Sequence, residues 1–117
     1  MAVLENKTKS NVISTELEIA EGYFNIQRGI GLMGRKNLKS EQGLWIHHCK
    51  SIHTCFMNFP IDCVFVDKVL KVKSVKENVK PWRLVFSQLD ADSVIELPAG
   101  TVTRKNITTG DQLYVGR

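Results

Sequence analysis

A chain of 117 residues, 43% of them hydrophobic and 24% charged, is long enough to bury one apolar core and too short for two of ordinary size. Its formal charge of +4 permits an acidic partner, yet both signs are interspersed as in an average soluble protein, so composition alone does not indicate nucleic acid. Three cysteines, clustered at Cys49, Cys55 and Cys63, exclude a disulfide framework of the secreted type and suit a reducing compartment. The first residues, MAVLENKTKSN, carry no apolar leader and no stretch approaches 18 apolar residues, so the expectation is a cytoplasmic protein with no membrane span.

In chain order, Met1 to Ser10 is polar and lacks a period, and residues 1–10 read as a flexible lead-in before a single domain over residues 11–117. Asn11 to Ala20 alternates, placing Ile13, Thr15, Leu17 and Ile19 inward and Ser14, Glu16 and Glu18 outward, as in a half-buried strand. From Gly22 the period becomes helical: Tyr23, Ile26, Ile30 and Met33 predict a short helix that Gly34 can stop. RGIGLMGR lacks both the glycine spacing of a dinucleotide site and the Lys-Ser/Thr ending of a phosphate loop. Leu44 to Ile46 begins another strand, which runs into His47, His48 and Cys49.

The stretch Ser51 to Asp67, SIHTCFMNFPIDCVFVD, is the apolar centre of the chain. Pro60 divides it, because proline lacks a ladder N–H and disfavours helix at Phe59, so two extended segments meet at a bend. Parity puts His53, Cys55, Met57 and Phe59 on one side of the first segment. In the second, Ile61, Cys63 and Phe65 oppose Asp62, Val64 and Val66. Both faces are apolar, the pattern of a central strand covered on both sides.

A reversal follows at Asp67 and Lys68, and the lack of a glycine predicts a longer or bulged turn. Leu70 and Val72 then alternate with Lys71 and Lys73 as in an edge strand, where lysines discourage further pairing. Glu77 to Arg83 reads as a loop with Trp82 as its aromatic anchor, and Leu84 to Leu89 as a short strand or turn of helix. Val94 to Leu97 is a strand, Thr101 caps one helical turn, and Gly110 and Asp111 lead into a last strand, Gln112 to Val115. Six or seven short alternating segments separated by turns predict a mainly β (α+β) domain, a small bent sheet or barrel with one or two short helices.

GLMGR (Gly31 to Arg35), the central stretch, KPWR (Lys80 to Arg83), VIELPAGT (Val94 to Thr101) and GDQL (Gly110 to Leu113), in this order, resemble the domain of unknown function 192 family over Leu17 to Val115. The resemblance implies a compact, mostly β, barrel-like domain with short helical pieces and brings no established activity. Its recurrent polar positions fall on Arg35, His53, Thr54, Asp62, Glu96 and Asp111. Of these, Arg35, His53, Thr54, Asp62 and Glu96 are taken as the candidate ligand-binding set. Cys55, Cys63 and Asn58 depart from the family pattern, which weakens any mechanism resting on either thiol.

Several chemistries compete for these residues. His47, His48, Cys49, His53 and Cys55 could offer soft ligands to zinc or copper, but a structural site usually shows two separated ligand pairs. No metal and no cofactor are therefore expected. A Cys-His nucleophile oriented by Asp62 lacks a nameable oxyanion donor set. Asp62 and Glu96 could form a carboxylate pair for hydrolysis, or either could pair structurally with Arg35. Lys71, Lys73, Lys76, Lys80 and Arg83 with Trp82 could bind single-stranded nucleic acid. The favoured function is a non-enzymatic ligand-binding or accessory module whose partner is a small molecule or a protein.

Overall fold

The computed structural model describes residues 2–21, 38–47, 51–53, 59–86 and 91–116. Among the described residues nine strands are formed: β1 (Ala2–Asn6), β2 (Asn11–Glu21), β3 (Gln42–His47), β4 (Ser51–His53), β5 (Ile61–Val66), β6 (Val72–Val79), β7 (Leu84–Phe86), β8 (Ser93–Pro98) and β9 (Leu113–Gly116). One helical turn, α1 (Thr101–Arg104), lies between β8 and β9. The helix expected over Tyr23 to Met33 lies outside the described residues.

The strand that begins after Pro60 is the middle of the architecture. β5 lies between β6 and β8 in a seven-stranded sheet of order β6-β5-β8-β3-β2-β1-β9, and all six of its residues are buried. Its parity is as the sequence predicts. Ile61, Cys63 and Phe65 join Leu38, Leu44, Ile46 and Val94 in one apolar cluster, while Val64 and Val66 join Leu4, Ile13, Leu17, Ile95 and Leu97 in another. A strand buried on both faces needs an apolar side chain at nearly every position, which is why this stretch reads as a run rather than an alternation.

The sheet curls until its two ends meet. Lys71 forms a bridge with Gln112, the Leu113 N–H donates to the Leu70 carbonyl at 2.9 Å, and the Val72 N–H donates to the Asp111 carbonyl at 2.9 Å. β6 is an edge strand of this sheet, as expected, and Lys71 just before it sits where its end meets the segment leading into β9. The result is a curled half-barrel, mainly β, as both periodicity and resemblance implied. β4 and β7 form a separate two-stranded antiparallel sheet.

The flexible lead-in is overturned. Ala2–Asn6 is a strand that pairs antiparallel with β2 on one side and β9 on the other, and Ala2, Leu4 and Asn6 are buried. Burial alternates residue by residue along β1. Only five residues carry that alternation, with an asparagine at one inward position, and so short a pattern is easily read as polar coil.

Alternation along β2 is also corrected. Ile13 and Leu17 are buried as expected, but so is Ser14, whereas Thr15 is exposed and Ile19 is 37% exposed. Opposite β1 the register shifts twice, between Ala2/Leu4 and Leu4/Glu5, with an extra β2 residue each time. Each bulge moves the following side chains to the other face.

Gly43 lies where β2 and β3 run parallel, opposite Leu17. A Cβ there would come within 3.0 Å of Leu97 Cδ2 and 3.1 Å of Leu17 Cδ1. Gly43→Ala is expected to cost about 1 kcal/mol through crowding in the core, read as a lower urea midpoint with unchanged slope.

Beyond β5, Lys68 to Leu70 forms a longer turn than a two-residue hairpin, as expected. The Asp67 carbonyl accepts from the Leu70 N–H at 3.0 Å, and its carboxylate Oδ1 accepts from the N–H groups of Val69 and Lys71 at 3.0 and 2.9 Å. Leu70 takes φ 66°, the left-handed position that closes a three-residue hairpin loop. Those backbone bonds and the Lys73 ammonium outweigh the opposing effect of burial and hold the Asp67 carboxyl below its ordinary pKa.

Candidate functional site

Asp62 and Glu96 are both buried, on adjacent strands. Register decides whether they can act together. Asp62 lies opposite Leu97, and Glu96 lies opposite Cys63 and, on β3, Leu44. Directly opposed residues share a face, so Glu96 points with Cys63 and Leu44, and Asp62 points with Leu97 and Val64. The alternative of a carboxylate pair is not formed, because these side chains leave the sheet in opposite directions.

Asp62 works on backbone instead. Its Oδ1 accepts from the Asn78 N–H at 2.8 Å, and its Oδ2 accepts from the N–H groups of Gly100 and Val102 at 3.1 and 2.9 Å. Gly100, at φ 94°, is the N-cap of α1 and has no side chain to cap with. The first amides of a helix need an acceptor, and β5 supplies one from across the fold. Thr101, expected as the cap, is the first helical residue, and its hydroxyl donates to the Pro98 carbonyl at 2.7 Å. With three backbone amides on its two oxygens, Asp62 ties β6 and the start of α1 to β5.

Of the remaining candidates, His53 is the last residue of β4, with its backbone opposite Leu84. Arg35 and Thr54 lie outside the described residues, as do His48, Cys49 and Cys55 of the supposed metal cluster. Among the described residues no three His, Cys, Asp or Glu side chains gather as a metal site. Cys63 is a buried thiol within the apolar cluster of Phe65 and Ile61. His47 lies 4.1 Å, centroid to centroid, from the ring of Trp45, whose Nε1 donates to Ser93 Oγ at 2.9 Å.

Asp111 is the second structural carboxylate, and sequence reasoning missed its partners. Its Oδ2 accepts from Asn6 Nδ2 at 2.8 Å, Lys9 Nζ at 3.0 Å and the Thr108 N–H at 3.0 Å, while Oδ1 accepts from the Thr108 hydroxyl at 3.0 Å. Burial opposes ionisation here, but these donors outweigh it and lower the Asp111 pKa from 3.8 to about 2. Asn6 and Lys9 fall in the stretch that resembles a lead-in, and the available signal was the brief alternation of β1.

The basic stretch is divided by the structure. Lys71 lies at the seam, and Lys73 Nζ is 3.7 Å from Asp67 Oδ2. Lys76 is exposed within β6, and Lys80 and Arg83 are exposed on the β6–β7 connection. Trp82 at its tip is not a buried anchor: it is 60% exposed, with a backbone at φ 64°. A left-handed conformation costs a bulky L-residue about 1 kcal/mol. Arg83 Nη1 lies 3.4 and 3.5 Å from the carbonyl oxygens of Pro81 and Trp82.

The family model of domain of unknown function 192, described as uncharacterised, matches residues 4–115. A UPF0127 protein of Thermococcus sibiricus is 33% identical over 117 residues, covering 95% of this chain and 73% of that protein. Another, from Pyrococcus horikoshii, is 31% identical over 114 residues, covering 95% and 96%. Among solved structures, a candidate transcription regulator from Sinorhizobium meliloti 1021 superposes with a TM-score of 0.82 at 24% identity, covering 97% of this chain and 91% of that one. A protein of unknown function from Novosphingobium aromaticivorans superposes with a TM-score of 0.81 at 21% identity, covering 97% and 82%. At such identities these two likenesses carry the fold alone.

Proposed function

The chain belongs to the domain of unknown function 192 family, a membership that carries a fold and no assigned reaction, and from that premise we propose that it is a non-enzymatic binding or accessory module. The observation that carries the reading is the opposition of Asp62 and Glu96 across the β5–β8 pair. Two-carboxylate hydrolysis needs both groups at one reacting bond, and a sheet lies between them. A reducing, cytoplasmic setting accords with the buried Cys63 thiol.

Within this reading, the binding role suggested by the family resemblance rests with Arg35, His53, Thr54, Asp62 and Glu96, and the partner is a small molecule or a protein. A second reading, single-stranded nucleic acid, is favoured by one observation, the exposure of Trp82 between two cationic side chains.

The test is an assay for carboxylate-dependent hydrolysis. Wild type and Glu96→Gln are incubated with p-nitrophenyl acetate and p-nitrophenyl phosphate across a range of pH. The expected result is no turnover that depends on Glu96. Turnover abolished by Glu96→Gln, in a variant with wild-type melting temperature and circular dichroism, overturns the reading in favour of an enzyme.

A further inference from the structure

We propose that the β6–β7 turn is a stacking platform for single-stranded nucleic acid, with Trp82 receiving an unstacked base and Lys76, Lys80 and Arg83 receiving the flanking phosphates. The proposal rests on the second reading above, nucleic acid as the partner of a binding module, and assigns that reading its surface.

Three independent observations converge on this turn. Trp82 holds a 60% exposed indole on a left-handed backbone, so the conformation is not one that burial of the ring explains. Exposed cations stand on both sides of it in the chain, Lys80 before and Arg83 after, with Lys76 on the strand that leads in. The base of the turn is also fastened, because the N–H of Asn78, at φ 51°, donates to the buried Asp62 carboxylate at 2.8 Å. A platform held in place before binding loses less conformational freedom on binding.

This combination selects among polyanions. Indole offers a flat π-face that accepts any base without reading its edges, and it can do so only where the base is not already stacked in a duplex. Phosphate contacts by three cations predict a salt dependence with a slope of about −2 in log K against log salt, at about −0.7 for each contact to a single strand.

The experiment measures binding of fluorescein-labelled single-stranded oligothymidine and oligouridine to the whole chain by anisotropy, at several salt concentrations. Wild type is expected to bind both, and to bind a duplex of the same length about tenfold more weakly. Trp82→Gly, which suits the left-handed backbone and removes the ring, is expected to lose about tenfold in affinity while keeping wild-type circular dichroism. Trp82→Phe keeps a stacking face and is expected to stay within about threefold. Lys80→Gln with Arg83→Gln is expected to flatten the salt slope by about 1.4.

Equal affinity for single strand and duplex, or no effect of Trp82→Gly, overturns the proposal. So does Trp82-dependent binding to phosphatidylserine vesicles without binding to either oligonucleotide. Should Trp82→Gly fail to fold, Trp82→Phe and the double glutamine variant decide the same question. Failure here with no Glu96-dependent turnover removes only this partner, whereas such turnover removes the module reading itself.

Discussion

Replacing Asp62 with alanine is expected to lower the stability of the chain by about 3–5 kcal/mol, the largest effect of any substitution considered. The variant leaves three amides without their acceptor: Asn78 on β6, Gly100 at the N-cap of α1 and Val102 in its first turn. A hydrogen bond to a charged group contributes about 1.5–3 kcal/mol, and a buried donor left unmade costs about 1–3 kcal/mol. Water reaches the Asn78 and Gly100 sites more readily than the buried Val102 bond, so the three losses do not simply add. Against a total stability on the order of 5–15 kcal/mol, the fold would be close to its limit.

Asp62→Asn keeps one acceptor oxygen but turns an NH₂ group toward the remaining donors, and is expected to lose about 2 kcal/mol. Urea unfolding of the three proteins checks the order, with wild type highest and alanine lowest. Amide exchange at Val102 should quicken in both variants. An unchanged midpoint for Asp62→Ala would show that β5 does not hold α1.

Acid is expected to remove about 2 kcal/mol of stability through Asp111 alone. Its pKa lies near 2 in the folded chain against an ordinary 3.8, and each unit of difference corresponds to about 1.4 kcal/mol. Because the folded value is the lower one, the unfolded chain takes up the proton first as pH falls. The contribution is therefore full above the ordinary carboxylate range, and it is lost between about pH 4 and about pH 2. Asp67 is shifted in the same direction and contributes with the same sign.

Asp111→Asn should be less stable by about 2 kcal/mol at neutral pH and should show a flatter decline on acidification. Urea midpoints for both proteins above and within the acid window test this. Parallel decline in wild type and variant would mean that other carboxylates govern acid unfolding. The structural consequence would be specific, because Asp111 joins the first strand to the last. With Asn6 and Lys9 released, β1 should exchange its amides before β5 does.

The strands and the central run were legible in the sequence because a strand buried on both faces must be apolar at almost every position, and Ile61–Val66 is. Pro60 marked its start for an equally local reason, the missing N–H. β1 was not legible: five residues with asparagine inward carry too little periodicity, and Asn6 donates to Asp111, an acceptor 105 positions away. The bulges in β2 were hidden for the same reason, since they arise from pairing with a strand the sequence reading did not recognise.

The sequence by itself determined the strands around the central run, the turns that bound them, and that Asp62 and Glu96 would be carboxylates among apolar neighbours, because those properties depend on side chains a few positions apart. Only the tertiary structure decided what the carboxylates do. Strand register, set by how β3, β5 and β8 align, placed Glu96 opposite Cys63 and Asp62 opposite Leu97, and a one-residue slip of β5 against β8 would have put both carboxylates on one face. Likewise, the curl of the sheet brought Lys71 to Gln112 and α1 over Asp62, contacts between positions some 40 residues apart that no local pattern encodes.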